Sequence, residues 1–362
     1  MRIFLIIFQT KKMRKILLYA SLTFLMVQCK KQNELPDLAK DNDYEQFALK
    51  DRVCQLNQKV TILENTNFTI DDKNLNYFFS TEGYLISEIF FNEDKDTIQE
   101  NSYLKYNFPL IQKQHITKDN FIVTQTIYDS LNNIKQIKKN TKNNQIIDEQ
   151  KNTLVDNKII TEDYYTSGNS SPLKTIKIGR NNNEIKYKVF IQNNQILDSI
   201  VYTHQNNKVV QENHYNSKNE IIEKQKFTYT GNNITQKLYL DAKDQVLVDE
   251  KMKYNQNNQI LLKEVYSAYD NTTYQENFEY NTNNKLIKQN TKLNGDLIIT
   301  ATYKYDDQNN LVYFDTSNLI NKENLIKSYK YTYDKKGNWL TKDVSINNKP
   351  TYSVNREITY CN

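Results

Sequence analysis

From about residue 50 to the C-terminus the chain alternates apolar and polar residues in short runs, and clusters of Asn, Asp, Lys and Gly interrupt the runs. Phe227-x-Tyr229, Tyr303-x-Tyr305 and Tyr329-x-Tyr331-x-Tyr333 show the period of two that marks a half-buried β-strand. The interruptions are two to four residues of turn formers. Asn and Asp tolerate positive φ and bond their own backbone, so they build hairpin turns with few glycines. One strand plus one turn takes about 12–13 residues, which predicts an all-β, long antiparallel meander of about 20–24 strands. No long window outside the N-terminal segment places apolar residues at i, i+3, i+4 and i+7, so helices are not expected.

The hairpins are copies of one unit. Tyr202, Tyr229, Tyr254, Tyr280, Tyr305 and Tyr333 each precede a polar turn and one or two apolar residues, as in Tyr254-Asn-Gln-Asn-Asn-Gln-Ile-Leu and Tyr280-Asn-Thr-Asn-Asn-Lys-Leu-Ile. Half-period copies begin at Tyr215 and Leu240, and earlier ones at Phe79, Tyr128 and Phe190. Such periodicity predicts a repeat architecture. Twisted open sheets rarely exceed about 10 strands, so this meander must coil, close or form an elongated curved ribbon. Apolar content is 38% and mean hydropathy −0.79. One packed face of Tyr, Ile, Leu and Phe and one polar face are therefore expected.

The pattern Tyr-Asp-x-x-Gly-Asn resembles the YD repeats of the Rhs family, and Tyr331-Thr-Tyr333-Asp334-Lys335-Lys336-Gly337-Asn338-Trp339 is its best copy. Asn347-Asn348-Lys349 and Arg356 to Tyr360 continue it in the manner of repeat-bearing Bacteroidetes lipoproteins. Most copies carry Asn-Asn where Gly-Asn would stand. The resemblance covers residues 77–360 and implies a curled sheet with scaffold and surface roles, and it transfers no catalytic residue.

Residues 1–28 read as an export signal. Lys11-Lys12-Met13-Arg14-Lys15 precedes an apolar run from Ile16 to Val27, too short to span a bilayer. Leu25-Met26-Val27-Gln28-Cys29 resembles the lipobox of bacterial lipoproteins, which implies lipidation of Cys29; the other reading is an ordinary signal with Cys29 incidental. Residues 29–50 are polar and charge-mixed and are expected to be a tether, leaving 51–362 as the body. Lys30-Lys31 after the cysteine points to the periplasmic side of the outer membrane.

This segment changes the charge. The whole chain carries 48 Lys+Arg against 43 Asp+Glu, net +5. Arg2, Lys11, Lys12, Arg14 and Lys15 fall in the export signal, so the remainder is neutral and offers no bulk attraction for nucleic acid. About 50 asparagines with many Lys, Ile and Tyr also fit an AT-rich genome.

Candidate chemistry is sparse. Six glycines and no G-x-G-x-x-G leave no phosphate cradle, and three His with three Cys cannot build several metal sites. No cofactor or metal is expected. His204 and His214 flank one predicted turn, which allows them to face each other. Cys54 and Cys361 are candidates for a disulfide closing nearly the whole body, worth about 4–5 kcal/mol in the chain-entropy estimate; the alternative is two free thiols. Thr97, Ser130 and Ser199 lie in Asp-Ser/Thr-apolar triplets that resemble Bacteroidetes O-glycosylation acceptors. The tyrosine ladder suits stacking of glycans or peptides as well as cross-strand packing. These features predict a lipid-anchored, non-enzymatic envelope protein with a β-repeat scaffold or binding surface. The alternatives are an immunity or chaperone-like partner of a secreted toxin, or an envelope hydrolase.

Overall fold

The computed structural model describes residues 43–362 apart from 65–69, 81–82, 106–107, 118–119, 142 and 362. The export signal, Cys29 and most of the tether lie outside the described residues. The body, Tyr44–Asn362, is one compact unit. Its 24 strands run from β1 (Val53–Ile62) to β24 (Lys349–Tyr360), each antiparallel to its neighbours in sequence. The meander curls until β24 pairs with β1, from Val53 opposite Tyr360 to Ile62 opposite Tyr352. The sheet is a closed ring with two rims. Connections from even- to odd-numbered strands lie on the entry rim, where the chain leads into β1, and the others on the far rim.

The turns explain how so few glycines suffice. One class is a five-residue loop, longer than the alternation alone suggests. In residues 255–259, Asn255 Oδ1 accepts the amides of Asn257 at 2.9 Å and Gln259 at 3.0 Å, and Asn258 sits at φ 60°. Asp129, Asn216, Asp241, Asn281, Asp306 and Asp334 repeat this loop. The Asp or Asn after the repeat tyrosine is thus the acceptor that shapes the turn, and the fourth loop residue is left-handed. Gly337 fills that place in the best copy, at φ 83°. The other class is the two-residue turn with both φ positive, as at Asn206-Asn207 and Asn347-Asn348.

The repeat tyrosines tie hairpins together. The hydroxyls of Tyr229, Tyr254, Tyr280 and Tyr305 donate to the carbonyls of Val209, Ile234, Ile260 and Leu286 at 2.8–3.0 Å. Along the same rim, amides bond loop to loop: Asn233 to Asn258 at 2.7 Å, Asn257 to Asn284 at 2.6 Å and Asn283 to Asn309 at 3.0 Å. Each such bond joins one hairpin to the next, much as asparagine ladders join stacked strands.

Among the described residues, the two clusters of buried apolar side chains lie at the seam. Tyr44, Leu49, Val53, Leu56, Leu75, Phe79 and Leu85 form one buried cluster, and Trp339, Val344, Ile346, Tyr352 and Val354 another. Residues 44–50 therefore belong to the body, which corrects the tether's predicted end at residue 50. Tyr44, Phe47 and Leu49 supply apolar surface that the surrounding polar composition masks, and Phe47 packs its ring 4.6 Å from Tyr77.

Asn219 occupies the left-handed position of its loop at φ 62°. Asn219→Gly is expected to leave the melting temperature nearly unchanged, whereas Asn219→Val should cost about 1–2 kcal/mol because a β-branched residue resists positive φ. Thermal unfolding of the two variants side by side checks this.

Candidate functional site

Bound together at the seam are the start and the end of the body. Asn338, fully buried, donates from Nδ2 to the Lys50 carbonyl at 2.8 Å and to the Tyr360 hydroxyl at 2.7 Å, and its Oδ1 accepts the Lys50 amide. Tyr360 donates onward to Asp334, and Lys336 pairs with Asp51 at 2.5 Å. The Gly-Asn of the best repeat copy thus serves closure. Gly337 lets the loop pass the Lys50 side chain, where a Cβ would stand 3.1 Å from Nζ. The Asp334 carboxyl is desolvated, which raises its pKa, but the Tyr360 hydroxyl and the loop amides outweigh this and hold it below the usual range.

Two further devices pin the seam. Arg356 lays its guanidinium 3.4 Å from the centroid of the Trp339 ring and donates from Nε to Gln58 at 2.9 Å. The connection between β1 and β2 (Asn74–Phe79) crosses this region, with Asp72 bonded to Lys342 at 2.5 Å and to the Tyr352 hydroxyl at 2.9 Å. Cys54 and Cys361 lie at the entry end of the seam with Cα atoms 5.1 Å apart and their sulfurs joined, a separation that suits a disulfide.

Away from the seam the two faces differ. Lys253, Leu262, Asn277, Asn290, Thr300 and Ser317 form one row across six strands. The opposite face places Met252, Lys263, Glu276 and Thr291 in a row, of which all but Lys263 are buried. Side chains converge on the concave side of a closed sheet, which assigns the second row to the inner face. Neither of these two rows is an unbroken apolar run.

Several titratable groups of the sheet are engaged with neighbouring side chains. Burial pushes the Glu276 carboxyl up, opposed by the Lys263 charge and by Gln289, which donates to it at 2.9 Å. Glu100 accepts from His115 at 2.7 Å and Lys113 at 3.0 Å, which lowers its pKa. His204 and His214 do not meet. His204 stands opposite Val209 and His214 opposite Ile200, a four-residue offset of about 13 Å. They lie nearer to carboxylates, His204 4.0 Å from Glu184 and His214 3.7 Å from Glu212. Among the described residues no group of three or more His, Cys, Asp and Glu could hold a metal.

The hydroxyl candidates fall in different settings. Ser130 is exposed in the 129–133 loop, Thr97 opens its strand half-buried, and Ser199 is half-buried within β12 (Gln195–Gln205). Asp129 already serves as the loop acceptor for Leu131 and Asn133, which accounts for the acid beside Ser130 on turn grounds alone. A shallow depression of about 460 Å³ opens on the entry rim, lined by Gln205, Lys208, Phe227 and Tyr229 among others.

The Asp334 carboxylate, held below its unfolded pKa, stabilises the fold above that unfolded value, and the contribution is lost as pH falls from about 4 through the folded pKa. Asp334→Asn should therefore lower stability at neutral pH and flatten its acid dependence, as read from denaturant midpoints at pH 3 to 7. Replacing Cys54 and Cys361 by Ser should lower the melting temperature, and the chain-entropy estimate for so long a loop is about 6 kcal/mol of stability. Peptide mapping without reductant should recover the two cysteines as one linked peptide; finding both alkylatable would sink the bond.

Neither the protein-family models nor the curated proteins include a match to this chain. Among solved structures it is similar to the Photorhabdus luminescens Tc holotoxin pore at 10% identity and a TM-score of 0.32, covering 82% of this chain and 18% of that one. It is also similar to a porin-like protein from Bacteroides uniformis at 8% identity and a TM-score of 0.25, covering 86% of this chain and 99% of that one. The chain thus spans under a fifth of the Tc protein's length, and at these scores neither neighbour bears on function.

Proposed function

We propose that this chain is a lipid-anchored protein of the bacterial envelope, attached through Cys29, whose closed β-repeat body is a non-enzymatic scaffold or binding surface. The observation that carries the reading is the employment of three of its perturbed acids. Asp334 shapes a loop, Glu100 holds His115 and Lys113, and Glu276 is bonded to Gln289. Acids committed to holding strands together are poor general acids or bases, because catalysis needs a group free to exchange a proton with a substrate. The neutral body argues against nucleic acid as a partner.

The ligand in this reading is a protein or glycan on the sheet surface. Phe227, Gln205 and Asn206 all line the entry-rim depression, and an aromatic side chain together with amide donors suits a sugar ring. The anchor holds the body at the periplasmic side of the outer membrane, in keeping with Lys30-Lys31.

Cells fed a labelled fatty acid should incorporate it into the wild-type chain and not into Cys29→Ala, which should leave the membrane fraction. A Cys29→Ala protein that stays membrane-bound overturns the anchor.

A further inference from the structure

The two rims differ in what they expose. Among the described residues, 23 large apolar side chains are exposed, and 14 of them cluster at the far rim against six at the entry rim. Ile98, Ile116, Ile146, Ile222, Val246 and Leu297 each sit within two residues of a strand end there. The pairs Ile62-Leu63, Ile196-Leu197 and Leu319-Ile320 double the effect, and Tyr269 is 63% exposed. Eleven of the twelve far-rim connections carry such a residue. The exception is Asn347-Asn348, beside the seam. The entry rim, by contrast, is knit by asparagine pairs and by the Lys50–Asn338 clamp.

We infer that the far rim is an interface between two copies of this chain, packed rim against rim about a two-fold axis. Two arguments select a second copy. The first is area: 14 half-exposed apolar side chains spread around the rim offer on the order of 1,000 Å² in total, near the ~800 Å² per partner of a stable complex. The second is shape. The apolar positions are strung around a closed ring, so a small ligand or a single helix covers a few of them at most. A partner ring of the same circumference meets all of them at once, and a second copy has that circumference by construction. The contact is isologous and closes as a dimer without propagating. Ile222 and Ile320, at 54% and 59% exposure, are central to it.

The inference does not rest on the lipid anchor, and its test separates the two. A photo-reactive phenylalanine is placed at position 222 or 319 in the full chain, and at position 131 on the entry rim as control, in the wild-type and Cys29→Ala backgrounds. Irradiation of intact cells should give an adduct of twice the chain mass, with both halves identified as this protein, from positions 222 and 319 and not from 131. Adding Ile222→Glu and Ile320→Glu, in chains that keep their melting temperature, should halve the mass of the purified full chain in sedimentation and abolish the adduct from position 319. Adducts solely with lipid, adducts solely with another protein, or no adduct at either far-rim position each overturn the self-association.

Discussion

Every strand has two edges of backbone N–H and C=O groups that must find partners, and this requirement governs the molecule. An open meander of 24 strands would leave both terminal edges unpaired. Pairing β1 with β24 removes both at once. The cost is joining residues about 300 positions apart, and the apolar packing is spent where that cost falls. The two buried clusters, the Arg356–Trp339 stack, the Asn338 clamp and the Cys54–Cys361 bond all lie along this one junction. Elsewhere each strand is held by neighbours adjacent in sequence, whose loops close at little entropic cost. There, hydrogen bonds and half-buried tyrosines are enough.

The meander itself was legible because it is local. Alternation and the spacing of the repeat tyrosines give the strands, and the Asn-rich clusters give the turns. The repeat pattern singles out residues 331–339, but their role lies beyond any local pattern: Gly337 and Asn338 stand where the N-terminal segment docks. That docking was hidden because Tyr44, Phe47 and Leu49 sit in a stretch whose average composition is polar. The two histidines show the converse limit. Two residues flanking one hairpin share a face, but a ten-residue spacing around a two-residue turn sets them about four positions apart along the ladder.

The candidate chemistry was legible mainly as residue types. Asp241, Asp306 and Glu276 prove to be hydrogen-bond acceptors for turns and a cross-strand amide. The same economy explains the composition. Asparagine shapes loops, tolerates left-handed backbone and bonds across repeats, so an asparagine-rich chain can build a rim where another would use glycine and ordered water.

The bond between Cys54 and Cys361 makes the polypeptide from the first strand to the last a covalent circle. A single proteolytic cut in any of the intervening turns then releases no fragment. The nicked chain keeps all its strands on one molecule, and each hairpin beside the cut retains the partner on its other side. Such a ring survives a cut that would shed the end of an open repeat array.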